Sequence, residues 1–270
     1  MEKLVPCINI HTKGGLSVTI TWVKKRKLSA WRAFFQVQRQ QEKKFKAVMD
    51  KFFKEQTNRI VKKFGGKDVS YTSIEIKAQI DRLVDWEEED EALEKALMPI
   101  WTATAIAGYK LSSETYGFQI DFDLFRSEAT DGIKTWGAEK VTNINRTTKE
   151  KLQKVIAQNL EDGLSIPEMG ANIAAQMDIE AGYRAQMIAR TESTGTMNFG
   201  SVQTYKQAGV KTHQWLTAQD DRVRDQHAAI NGEEVKVGEP FSNGLEFPGD
   251  PWGDAAEVIN CRCTLVPIIE

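Results

Sequence analysis

The sequence predicts an α+β fold: a mainly helical, charged N-terminal domain over residues 1–131, followed by a mixed helix and small-sheet domain over residues 132–270. Three observations lead there. Apolar residues recur at helical spacing early in the chain, helix caps and stops punctuate its middle, and beyond Gly209 the apolar pattern changes to alternation. Helices followed by short strands around separate cores make an α+β arrangement.

At the start, Cys7, Ile8 and Ile10, then "TKGG", then Val18, Ile20 and Trp22 on every second residue predict a small hairpin. A lone hairpin is only marginally stable in water, so it must lean on the body or on a partner's sheet edge. From Leu28 to Phe64, Trp31, Phe34, Phe35, Phe45, Val48, Met49, Phe52, Phe53, Ile60 and Phe64 predict one long amphipathic helix or two in series, stopped by Gly65-Gly66. Lys24 to Lys63 holds fourteen Lys or Arg against Glu42, Asp50 and Glu55, so the opposite face is strongly positive. That face is either a solvated helix surface or a contact for DNA or an acidic protein, with Lys43, Lys44, Lys51 and Lys54 as the candidate contacts.

The sign then reverses. Between Asp68 and Glu94 ten acids face only Lys77 and Arg82, and the "DWEEEDEALEKAL" run reads as an acidic helix start that complements the helix dipole. Basic and acidic helices either pair inside the domain or face neighbours. Pro99 is expected to interrupt, and "IWTATAIAGYKL" supplies small residues for a closely packed helix. Residues 117–137 read as a connector with short strands, with the domain boundary at Asp131-Gly132. Two capped helices follow, one from Thr147 with Glu150 to Gly163, the other from Ser165 with Glu168 and Pro167 in its first turn. A longer helix runs from Ile179 to Ala208, closed by Gly209, with Gly182, Gly195 and Gly200 weakening it. "VKTHQWLT", "EEVKV" and "CRCTLVPII" read as strands and "RVRDQHAAI" as a short helix.

Apolar residues at 41% and charged residues at 27% are values of a globular chain and exclude intrinsic disorder. No apolar run approaches the eighteen or so residues of a membrane span, and the first residues lack a signal-peptide core, so a soluble protein made in the cytoplasm is expected. Three cysteines cannot all pair, and Cys-x-Cys is poor geometry for a disulfide, so reduced thiols are expected.

Four pieces of the second half carry a family resemblance: Ala189-Arg190-Thr191-Glu192, the strand with Trp215, Asp220-x-Arg222-Val223-Arg224-x-x-His227, and Asn260-Cys261-Arg262-Cys263. In this order, behind capped helices, they resemble the phage Mu F-like minor head proteins, a head-morphogenesis family of tailed bacteriophages. The resemblance runs from about Ile133 to Pro267. It implies a minor component of the virion that joins the procapsid in the host cytoplasm and associates inside the head with the portal vertex. The partners it implies are the portal, scaffold or major capsid protein, and its role is in head assembly and DNA packaging or delivery. Phage DNA is a further candidate partner, and no membrane is implied. The resemblance carries no agreed reaction and no cofactor.

What, then, are Cys261, Cys263 and His227 for? Three readings compete. As a metal site they are soft ligands short of the usual four, with His213 or Asp220 as the candidate fourth. As a catalytic site, a thiolate would pair with His227, oriented by Asp220, or Glu192 after Arg190-Thr191 would be compared with the Arg and Glu of ADP-ribosyl transfer enzymes. As a polar clasp, the two cysteines pack inward from one strand face while Arg262 or Arg222 pairs with Asp220 or Glu192 and fixes the loop of His227. The clasp accounts for the alternate spacing without a reaction or a metal, and it is the reading preferred here. The expectation is a structural protein with no enzymatic activity, no cofactor and no bound metal, and a virion enzyme using Glu192, His227, Cys261 or Cys263 is its alternative.

Overall fold

A computed structural model describes residues 17–64, 84–218 and 220–269 of the chain, with side chains from Ser29 onward except those of Phe64 and Ile166. Four long helices precede a small sheet: α1 (Ser17–Phe64), α2 (Trp86–Tyr116), α3 (Phe122–Glu161) and α4 (Ile166–Gln207). Then come β1 (Thr212–Leu216), the short helix α5 (Asp225–Ala229), β2 (Glu234–Lys236), the single turn α6 (Ala255–Val258) and β3 (Thr264–Ile268). The strands form one antiparallel sheet in the order β2-β1-β3, with Trp215 opposite Leu265 and His213 opposite both Val235 and Pro267. The α+β class and the helical N-terminal region are as expected.

Helix α1 buries Phe34, Phe45, Met49, Phe52, Phe53 and Ile60 on one stripe. The same stripe carries Gln38 and Gln56, which are also buried and therefore need partners. Gln38 donates to Ser193 Oγ at 2.8 Å, and Gln56 donates to Asn145 at 2.9 Å and to Glu89 at 3.1 Å. The basic and acidic helices pair within the molecule: Arg59 of α1 grips Glu89 of α2 through two bonds of 2.8 and 2.7 Å. Lys43, Lys44, Lys51 and Lys54 lie on the exposed face.

Several expectations are corrected. The strand expected at Val18, Ile20 and Trp22 is the first part of α1, because a helix once nucleated propagates through residues of weak preference. The other half of that hairpin and the Gly65-Gly66 stop lie outside the described residues. Pro99 lies inside α2 and does not end it. The connector expected over 117–137 is mostly helix: Asp121 caps α3, accepting from Asp123 and Leu124 N–H, and Phe125, Ala129, Ile133 and Trp136 form its buried stripe. The Ile120, Phe122 and Leu124 alternation that imitates a strand simply straddles this cap. The boundary expected at Asp131-Gly132 therefore falls within a continuous helix, where Gly132 gives room to the Phe199 ring.

Thr147 is likewise interior to α3, its hydroxyl turned back to the Asn143 carbonyl at 3.1 Å. Local capping chemistry loses there to tertiary contacts, since the neighbouring Asn145 and Thr148 are buried and bonded to Gln56 and Arg184. The capping box at Ser165 is present, Glu168 accepting from Ser165 N–H at 2.8 Å, and the helix it starts runs unbroken to Gln207.

Glycine inside α4 serves contact between backbones. A Cβ on Gly200 would stand 2.2 Å from the Ala105 carbonyl oxygen of α2, and one on Gly195 would stand 2.4 Å from that of Gly249. Helices α2 and α4 thus cross with their backbones touching, which the small residues of "TATAIAG" allow. Gly200→Ala is expected to lower stability by about 1–3 kcal/mol through overpacking. Gly182→Ala, at an exposed helical site with open space around it, is expected to raise stability by up to ~1 kcal/mol. Urea unfolding of the two variants checks the opposite signs.

Candidate functional site

Four segments meet around the end of α4: the Arg190 to Asn198 stretch, the loop after β1, helix α5, and the Glu257 to Cys263 segment. Cys261 and Cys263 lie just before β3 rather than within it, yet their alternation survives. Both are buried, at 1% and 2% exposure, while Asn260 and Arg262 are turned partly outward.

The clasp forms between the loop and the C-terminal segment. Arg262 holds Asp220 with both terminal nitrogens, one bond being 2.9 Å from Oδ1. Asp220 Oδ1 also accepts from Arg222 N–H at 3.0 Å, closing the turn, whereas the Arg222 side chain is mostly exposed and only 3.4 Å from the carboxylate. The guanidinium of Arg262, followed by the backbone N–H of Arg222, lowers the Asp220 carboxyl to about 2 against the pull of burial. Arg224, which precedes α5, donates to the carbonyls of Glu257 and Ile259, the last turn of α6, where a cation meets unpaired carbonyls.

The Arg190-Thr191-Glu192 motif fans out in three directions. Arg190 reaches Glu42 of α1 at 3.3 Å and the Asn260 side chain at 3.3 Å. Thr191 Oγ1 accepts the Asn260 N–H at 3.0 Å and so holds that residue in its left-handed conformation, φ 59°. Of the two acids offered for the clasp, Asp220 fills the place and Glu192 takes no part in pinning the His227 loop. It is buried against α2 and α3, accepting from Trp101 Nε1 at 3.0 Å and pairing with Lys140 at 3.5 Å.

His227 sits at the centre of a second cluster. Its Nδ1 faces Cys263 Sγ at 3.5 Å and Cys261 Sγ at 3.7 Å, and its Nε2 meets Glu257 Oε2 at 2.9 Å. Trp215 closes the cluster edge-on to the ring at 5.2 Å. Burial works against charge on His227, but the Cys263 sulfur and the Glu257 carboxylate outweigh it and raise its pKa. A hydrogen bond from Cys261 to Cys263 pushes the Cys263 thiol down and, with burial, the Cys261 thiol up. His213 stands apart, stacked on Phe241 at 5.2 Å, and burial lowers its pKa to about 4. Among the described residues, His227, Cys261 and Cys263 are the group of three ligand side chains able to converge on one ion.

Two contributors went unread in the sequence. Asn198 donates to the carbonyls of Pro248 and Cys263 at 2.9 and 3.1 Å and accepts from Thr264 at 3.0 Å. Glu257 orients His227. Neither residue type has a local signature, and only the meeting of distant segments reveals their parts.

Residues 150–266 match the family model described as Phage Mu protein F like protein, which bears out the family resemblance. The matched stretch begins inside α3 and ends inside β3, so it holds all four motifs. Three curated proteins are similar to parts of the chain. The uncharacterized protein YqbB of Bacillus subtilis is 25% identical over 162 residues, 56% of this chain and 52% of that one. The NAD(+)–arginine ADP-ribosyltransferase EFV of Enterococcus faecalis is 31% identical over 131 residues, 45% of this chain and 27% of that one. An uncharacterized protein of Haemophilus influenzae is 23% identical over 145 residues, 53% of this chain and 30% of that one. The chain thus spans about half the length of the first and less of the others. No solved structure gives a significant match.

The clasp has a pH signature. A carboxyl whose folded pKa is depressed adds stability fully present above its ordinary 3.8 and lost as pH falls through about 2. Asp220→Asn is therefore expected to melt below the parent by a margin that is constant above 3.8 and shrinks from there toward about 2, as thermal melts across that window would show.

Proposed function

We propose that this chain is a minor head protein of a tailed bacteriophage that binds at the portal vertex or inner procapsid and assists head assembly and DNA packaging or delivery, working by recognition and not by catalysis. The observation that carries this reading is the Mu F-like match over residues 150–266, a family of phage head morphogenesis and hence of virion association. No helix among the described residues is long and apolar enough to cross a membrane.

Burial supports the non-enzymatic part. His227, Cys261 and Cys263 are between 1% and 2% exposed, and Glu192 is 6% exposed with both oxygens engaged. A nucleophile or base in such a place lacks a path for substrate. An open cleft of about 520 Å³ lies elsewhere, between Glu128 and Asp131 of α3 and Gln203, Lys206 and Gln207 of α4. The ADP-ribosyltransferase named among the relatives is matched over only 27% of its length, so its activity is not transferred to this chain.

Recognition needs a surface, and α1 offers Lys43, Lys44, Lys51 and Lys54 on its exposed side. Surface charge of one sign steers a partner and orients it. Reversing these four lysines to Glu is expected to leave the melting temperature within a few degrees and to reduce the protein's content in assembled heads severalfold. Purified heads with normal content of the reversed protein would sink the proposal for this surface. Co-expression with neighbouring portal and scaffold proteins, followed by co-purification, tests the partner assignment itself.

A further inference from the structure

We infer that His227, Cys261 and Cys263 form a zinc site, in which two thiolates and the imidazole Nδ1 hold one Zn²⁺ and a non-protein donor such as water takes the fourth position. With Zn–S of about 2.3 Å and Zn–N of about 2.0–2.1 Å, the N···S edge of a tetrahedron is roughly 3.5 Å. The two Nδ1···Sγ separations are 3.5 and 3.7 Å, and all three ligand atoms lie within 4.8 Å of one another. The atoms already stand near the corners that zinc requires.

The surroundings fit as well. The far nitrogen of a zinc-bound histidine usually bonds a carboxylate, which fixes ring and tautomer, and His227 Nε2 meets Glu257 at 2.9 Å. The Ala218 N–H donates to the Cys263 sulfur, as backbone amides do toward a bound thiolate. Two thiolates neutralise a divalent cation, so the filled site buries no net charge, and soft sulfur with imidazole selects zinc over the hard cations. The ligand backbone is also held independently of any ion: Thr191 grips Asn260, Arg262 grips Asp220, and Arg224 grips the end of α6. Neither fourth ligand foreseen from the sequence takes part, since His213 faces Phe241 and Asp220 is held by Arg262. The expectation of no metal rested on a count of ligands, and the convergence of three ligand atoms within 4.8 Å argues the other way.

The test uses the full chain, purified from zinc-supplemented cells, stripped with chelator, then titrated with Zn²⁺ and with Co²⁺ as a spectroscopic probe. One zinc per chain is expected by elemental analysis, with a thiolate-to-cobalt charge-transfer band in the cobalt form. Cys261→Ala with Cys263→Ala should lose both. Should that double variant fail to fold, Glu257→Gln keeps all three ligands and is expected to weaken zinc binding about 10–100-fold. A folded, helical parent chain without stoichiometric zinc or a cobalt band would overturn the assignment. So would zinc retained by the double variant, or unchanged affinity in Glu257→Gln.

Discussion

A polar helix buried on every side is the constraint on which the rest of this structure depends. From Thr191 to Val202, every residue of α4 is buried, although the sequence there is "TESTGTMNFGSV". An amphipathic helix needs cover on one face, whereas this one needs cover all round, and its polar groups look for partners inside the protein, the hydroxyls of Thr194 and Thr196 being left without one. Glu192 finds Trp101 and Lys140, Ser193 finds Gln38, and Asn198 finds Thr264 and the carbonyls of Cys263 and Pro248. The partners come from α1, α2, α3 and the C-terminal segment. Those elements are therefore placed by the hydrogen bonds of one helix as much as by apolar burial. Gly195 and Gly200 let backbones approach closely enough for this to work.

The same arrangement sets what the Cys and His residues can do. Packed against Trp215 and buried beside the Asp220–Arg262 pairing of the same segments, they are held in place and preoriented. Burial and preorientation suit an ion site or a clasp. They oppose turnover of any substrate larger than an ion, because the closed protein offers no route to the sulfur. A thiolate beside a histidine whose far nitrogen meets a carboxylate would suggest a nucleophile in an open cleft. Exposure, not the identity of the groups, separates the two chemistries.

Charge is distributed to match. Helix α1 turns charge of both signs inward, Arg59 onto Glu89 of α2 and Glu42 onto Arg190 of α4. Its remaining lysines face outward. A strongly charged outer face on a helix whose inner face carries the core lets the molecule present charge without weakening its fold, since exposed like charges are screened within about 10 Å at moderate salt. The N-terminal helix packs directly on the matched region: Trp31 donates to the Arg262 carbonyl at 3.3 Å, across nearly the whole length of the chain.

By itself the sequence determined the fold class, the long apolar stripe of α1, the capping box at Ser165, the short strands after Gly209, and the family motifs around Glu192, His227 and Cys263. Each is written in local periodicity, cap chemistry or spacing, which a chain carries with it into any context. What it left undetermined depends on partners distant in the chain. Thr147 caps nothing because Asn145 and Thr148 are claimed by other helices, and Gly132 makes room for Phe199 instead of ending a domain. Glu192 belongs to Trp101 and not to the clasp, and Glu257 becomes the orienting carboxylate of His227 only when α6 folds beside α5. Only the tertiary structure decided these, because a buried polar group's role is set by whichever partner satisfies it, and nothing near it in the sequence names that partner.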